Sequence, residues 1–127
     1  MMSAAVTAVR YSARFPGRPE QVRKVRRAVA GCLAGCPARD DVVLIASELA
    51  ANAICHSASE DAYFTLRVEV LAGCARVEVE DLGGPWLCRQ RDGRPHGLDI
   101  VTALAADWGT EVTSDGQRVT WARVDFR

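Results

Sequence analysis

The sequence predicts an α/β (α+β) two-layer sandwich: a mixed, mostly antiparallel sheet of about five strands, covered on one face by three helices. Three observations predict it. Apolar residues recur at helical spacing in three separate segments, the middle one running Val42, Ile45, Ala46, Leu49, Ala50 and Ala53. Two adjacent segments alternate instead, with Phe64, Leu66, Val68 and Val70 against Thr65, Arg67 and Glu69, then Val77 and Val79 against Glu78 and Glu80. Near the end, Trp108 to Val112 and Val119 to Phe126 flank a Ser114-Asp115-Gly116 turn and read as a closing hairpin.

In chain order, Val6 to Phe15 alternates well enough for an opening edge strand, which Pro16-Gly17-Arg18-Pro19 breaks. A first helix starts near Glu20, buries Val22, Val25, Val29 and Leu33, and ends at Gly35-Cys36-Pro37. Asp40 or Asp41 caps the central helix, which runs to about His56-Ser57; Ser59-Glu60-Asp61 is then a turn. Strands Tyr63 to Leu71 and Ala75 to Asp81 follow, joined by a tight hairpin at Ala72-Gly73-Cys74. From Leu82 to His96 regularity gives way to Gly83, Gly84, Pro85, Gly93 and Pro95 among Arg89, Arg91 and Arg94, and irregular stretches of that length inside compact domains are usually functional or mobile. Gly97-Leu98 opens a third helix with Leu98, Val101, Leu104 and Ala105 inward. No repeat or linker interrupts the 127 residues, which read as one domain.

Composition narrows the function classes. With 49% hydrophobic and 25% charged residues the chain is an ordinary globular sequence, and no apolar run approaches the roughly 18 residues of a membrane helix. A cytoplasmic protein without membrane association is the expectation. Sixteen basic residues balance sixteen acidic ones, which gives no whole-molecule field for nucleic acid. Five cysteines, Cys32, Cys36, Cys55, Cys74 and Cys88, contain no Cys-x-x-Cys pair and read as reduced, mostly buried thiols. Lys24 is the only lysine, so there is neither a Gly-rich loop ending in Gly-Lys-Ser/Thr nor the strand lysine of eukaryotic-type protein kinases. Any handling of ATP follows another scheme.

Glu48 and Asn52 lie one turn apart beside the apolar stripe of the central helix and point the same way. A carboxylate and an amide so placed offer hard oxygen ligands or a general base, as Mg²⁺ and phosphoryl chemistry require. Asp81-Leu82-Gly83 ends a strand, and Gly97-Leu98 starts a helix after the arginine-rich stretch. Alone, each is also what an ordinary turn or helix start would show.

In this order and context, the three features resemble the GHKL ATPase superfamily of gyrase and histidine kinases. The chain looks most like its small anti-sigma-factor, serine-protein-kinase branch common in actinobacteria. Glu48-Leu49-x-x-Asn52-Ala53-x-x-His56 is similar to the family's N box and Asp81-x-Gly83 to its first glycine box. Gly97-Leu98-x-Ile100-Val101, with Leu104-Ala105 and Trp108-Gly109 beyond, is similar to its second glycine box.

The resemblance implies a Bergerat-type ATP-binding fold with ATP and Mg²⁺ as cofactors. By it, Asn52 is the Mg²⁺ ligand, Asp81 accepts a hydrogen bond from the adenine amino group, and Gly83 lets the backbone approach the base. Amides of Gly97 and Leu98 would meet phosphate at a helix N-terminus. Glu48 would be the general base, acting on either a water or a serine hydroxyl. Arg89, Arg91 or Arg94 would reach phosphate from a lid, and His56 closes its helix.

Two departures stand out. The usual first glycine of Gly-x-Gly-Leu is Pro95 here, which removes an amide donor, and Val119 and Thr120 compete for the threonine expected beside the adenine-binding aspartate. The partners implied are an anti-anti-sigma (STAS-type) protein, as phosphoacceptor, and a sigma factor, with no direct nucleic acid and with homodimerisation left open. The alternative is a catalytically inactive, ATP-binding or purely protein-binding module of the same fold.

Overall fold

A computed structural model of the chain describes residues 7–56, 62–83 and 97–126. In chain order its elements are β1 (Thr7–Pro16), α1 (Gln21–Cys32), α2 (Arg39–His56), β2 (Tyr63–Leu71), β3 (Cys74–Asp81), α3 (Gly97–Leu104), β4 (Asp107–Val112) and β5 (Arg118–Asp125). The five strands form one sheet in the order β1-β2-β3-β5-β4. Every ladder among the described strands is antiparallel, so the sheet is not mixed. The turn at Ser59-Glu60-Asp61, the stretch from Gly84 to His96 and Cys88 within it lie outside the described residues.

Period-two alternation decides which face of the sheet is covered. On β2 and β3, Phe64, Leu66, Val68, Ala75, Val77 and Val79 are buried under the helices, while the residues between them are half-exposed. The uncovered face carries charge instead: Arg67 donates to Glu78 at 2.6 Å and to Glu80 at 2.7 Å, and Arg10 pairs with Glu69 at 3.0 Å. Trp121 lies on that face beneath the Arg76 guanidinium, 4.6 Å from the ring centroid. Trp108 sits on the other face, packs against the core and donates its indole N–H to Thr102 Oγ1 at 2.9 Å.

On the covered face α2 is the centre, packed against α1, α3 and the sheet strand β3. Its buried stripe is Val42, Ile45, Ala46, Leu49, Ala50 and Ala53, all 2% exposed or less. Three alanines in that stripe let the helix axis approach the sheet more closely than larger side chains would permit. α1 buries Val25 and Val29, with Leu33 just beyond its end. It stops at Cys32, before Gly35-Cys36-Pro37, and Gly35 instead takes a positive φ of 79° in the link to α2. Nor is Asp40 or Asp41 the cap of α2: the helix starts at Arg39, and both carboxylates lie exposed in its first turn, where they complement the dipole.

The expectation of reduced, buried thiols is corrected at one position. Cys55, exposed on the last turn of α2, is disulfide-bonded. Cys32, Cys36 and Cys74 are free and half-buried, and burial pushes the Cys32 thiol up from its ordinary value.

The end of the sheet where β3 finishes is held by backbone contact. Gly83 has a φ of 78°, and a Cβ there would lie 2.4 Å from the Gly116 carbonyl oxygen. Gly116, φ 83°, turns the β4–β5 hairpin, closed by a Thr113 N–H donation to Gln117 O at 2.7 Å. Only glycine fits the first of these two positions without moving the hairpin.

Two stability outcomes follow. Leu49→Ala, at a side chain 1% exposed, should lower unfolding free energy by about 3 kcal/mol, against under about 0.5 kcal/mol for Leu44→Ala at 40% exposure, as read by urea titration. Gly83→Ala should cost more than about 2 kcal/mol, because overlap with Gly116 adds to the conformational strain. Gly35→Ala, with the same sign of φ and nothing within 4 Å, should cost only about 1 kcal/mol.

Candidate functional site

α2, which carries Glu48 and Asn52, packs against both β3, which ends at Asp81, and α3, which begins at Gly97. Glu48 and Asn52 lie on one flank of α2, half-buried between the core stripe and the exposed row of Leu44, Ala51 and Cys55. Their spacing along the helix puts them on adjacent turns of that flank. The Asn52 side-chain nitrogen is buried and, among the described residues, has no hydrogen-bond partner. A buried amide donor left in that state costs on the order of 1–3 kcal/mol, so the position calls for an acceptor.

Asp81 is the last residue of β3 and is 7% exposed on the helix-covered face. Its Oδ1 accepts the backbone N–H of Gly83 at 2.7 Å. This is the short turn that an aspartate makes with its own backbone two residues on, and it accounts locally for the Asp-x-Gly spacing. Gly83 therefore meets two demands, a positive φ and the approach of the Gly116 carbonyl, and the close approach the structure displays is to the hairpin.

Arg118 opens β5 directly opposite Asp81 in the ladder, and its Nη2 lies 3.5 Å from Asp81 Oδ1. The two side chains are only 6% and 8% exposed. Buried opposite charges at this separation compensate each other's lost hydration. The next residue on the same face is Thr120, buried, with its Oγ1 3.4 Å from Thr110 Oγ1. Val119 projects from the opposite face, opposite Glu80. The ladder thus decides between the two: Thr120, not Val119, shares the face of Asp81.

Gly97 and Leu98 open α3 as their spacing predicts. Leu98 is half-buried against the core, its carbonyl accepts the Thr102 hydroxyl at 2.8 Å, and Val101 is fully buried. The free backbone donors at the start of this helix point along its axis, beyond the N-terminus, at the positive end of the dipole. Asp99 occupies the same first turn. The lid arginines and Pro95 lie outside the described residues.

Arg118 is the residue that sequence reading missed. Its signal was parity: it shares the in-facing register of Thr120, Ala122 and Val124, where an arginine is out of place unless paired.

No group of three or more His, Cys, Asp or Glu side chains among the described residues could hold a metal ion. Asn52 nonetheless fits an arrangement in which the protein gives Mg²⁺ one or two oxygen ligands and bound phosphates give others. Its orphaned nitrogen fits a phosphate oxygen more directly than it fits the cation. Among the described residues no helix is long and apolar enough to cross a membrane.

No curated protein matches the sequence. Among solved structures the chain is similar to the RsbU and RsbW domains of Rv1364c from Mycobacterium tuberculosis, with a TM-score of 0.72 at 19% identity. That match covers 93% of this chain and 32% of the other, so the chain spans about a third of the protein it resembles. At that identity the likeness is one of fold. The family model of the histidine kinase-like ATPase domain matches residues 15–122, from β1 to β5, and the chain belongs to that family of ATP-binding domains.

Proposed function

We propose that this chain is an ATP-binding anti-sigma regulatory factor with serine/threonine protein kinase activity toward an anti-anti-sigma protein of the STAS type. The observation that carries the nucleotide site is the buried amide nitrogen of Asn52, unpartnered among the described residues, on the helix that packs against α3. It is supported by membership of an ATPase-domain family, and the anti-sigma part by likeness to a structure containing an RsbW domain.

In this reading Asn52 holds a phosphate oxygen and a Mg²⁺ ion through the two atoms of its amide. Mg²⁺, when bound, neutralises phosphate charge that a chain with one lysine, on α1, is poorly supplied to neutralise. The amides of Gly97 and Leu98 meet the phosphates at the N-terminus of α3. Asp81 takes the adenine amino group at the other end of the site, beside Thr120. Gly83 keeps that end open by holding the β4–β5 hairpin in place.

Glu48 is the general base. It is half-buried one turn before Asn52, so its carboxylate keeps contact with solvent while lying beside the phosphate-binding flank. From there it accepts the proton of a serine or threonine hydroxyl as that oxygen attacks the terminal phosphate. The protein substrate is the anti-anti-sigma partner, and the sigma factor is bound when that antagonist is phosphorylated.

Calorimetry with ATP and Mg²⁺ should give saturable binding that Asn52→Ala weakens at least about tenfold. In a phosphate-transfer assay with a STAS-domain antagonist, Glu48→Ala should slow transfer by about 10²–10⁴-fold while leaving ATP affinity within about threefold. Transfer that survives Glu48→Ala would remove Glu48 as the base. ATP binding with no transfer to any antagonist would leave the nucleotide-binding module without a kinase.

A further inference from the structure

Resting on the nucleotide reading above, we infer that Arg118 is a positioning residue for base selection: it holds Asp81 so that the carboxylate presents an acceptor to the amino group of an adenine nucleotide. The helix-covered row of β3 runs Ala75, Val77, Val79 and then Asp81, and the facing row of β5 runs Val124, Ala122, Thr120 and then Arg118. Both rows turn from apolar to polar at the same end of the sheet. A buried ion pair is weak as a stabilising device, because apolar side chains of similar volume commonly do as well or better. Its placement at the strand end that bears the candidate base-binding carboxylate calls for another reason.

The geometry supplies one. Two contacts converge on the same oxygen of Asp81, a hydrogen bond from the Gly83 N–H at 2.7 Å and the ion pair with Arg118 Nη2 at 3.5 Å. Among the described residues nothing donates to Oδ2, so the carboxylate is held from one side with its other oxygen available. The turn at Gly83 cannot relax away, because it abuts the Gly116 carbonyl, and Gly116 lies two residues before Arg118. Asp81, Gly83, Gly116 and Arg118 therefore move as a unit. An ionised carboxylate only accepts hydrogen bonds, so the free oxygen suits the 6-amino group of adenine and repels the carbonyl oxygen that guanine presents there. The Arg118 guanidinium offsets the hydration that this carboxylate loses on burial.

The test compares ATP with purine riboside triphosphate, which is the same nucleotide without the 6-amino group, by calorimetry on the full chain. The unaltered protein should prefer ATP by about tenfold or more, the size of one hydrogen bond to a charged group. Arg118→Met should erase most of that preference through loss of ATP affinity, with binding of the purine analogue unchanged. Arg118→Lys keeps the charge without the planar fork and should lower the preference by at least about threefold, but less than methionine does. A folded Arg118→Met variant that keeps its preference, or that loses affinity for both nucleotides equally, overturns the inference and reduces Arg118 to a structural role. If Arg118→Met does not fold, the lysine variant decides, and an unaltered preference in it overturns the inference as well. An unaltered protein that binds neither nucleotide brings down the nucleotide reading itself, and the inference with it; one that binds both equally brings down the inference alone.

Discussion

The seating of α2 on the sheet is the constraint on which the candidate site depends. Alanines at positions 46, 50 and 53 share its buried stripe with Val42, Ile45 and Leu49, and this run of small and branched side chains lets a long helix lie close over β3. The same helix packs against α3. The polar pair Glu48 and Asn52 is kept to its flank, and the central stripe stays apolar. The price is the partly buried amide of Asn52, whose nitrogen finds no acceptor among the described residues. Unsatisfied groups of this kind are uncommon in well-packed domains and concentrate where a ligand completes the structure.

The other end of the site is held by a different logic. Asp81, Gly83, Gly116 and Arg118 form a knot of one buried ion pair, one side-chain-to-backbone hydrogen bond and one backbone contact that excludes a Cβ. The Asp-x-Gly motif consequently carries two kinds of information. Part of its signal is the local turn that ends the strand, which would exist in a protein binding nothing. The remainder is the burial of a carboxylate on the face where α2 lies, and only the structure separates the two.

Much of the fold was legible because its determinants are local. Alternation from Tyr63 to Leu71 and from Ala75 to Asp81 gave both central strands to within a residue, and the apolar stripe from Val42 to Ala53 gave α2. Gly97 marks the start of α3 as its spacing predicts. What the sequence could not supply was register, a property of two segments at once. Val119 and Thr120 look equivalent in a string, and only the pairing of β3 with β5 puts Thr120 on the face of Asp81. Arg118 was passed over for the same reason, since an arginine at a strand start reads as solvated until its cross-strand partner is known. The capping of α2 was misread because Asp40 and Asp41 suit the first helical turn as well as the cap, and the disulfide at Cys55 depends on a spatial neighbour that spacing does not reveal.

The central claim is that the orphaned amide of Asn52 is completed by a nucleotide phosphate. Its most direct test is the side-chain amide resonance of Asn52 in ¹⁵N–¹H NMR spectra, assigned through its loss in Asn52→Asp, during titration with ATP and Mg²⁺. The account predicts that this resonance shifts saturably, with the same apparent Kd as the backbone amides of Gly97 and Leu98 at the start of α3. An Asn52 resonance that stays fixed while those backbone amides saturate, or a spectrum unchanged at millimolar nucleotide, would contradict it.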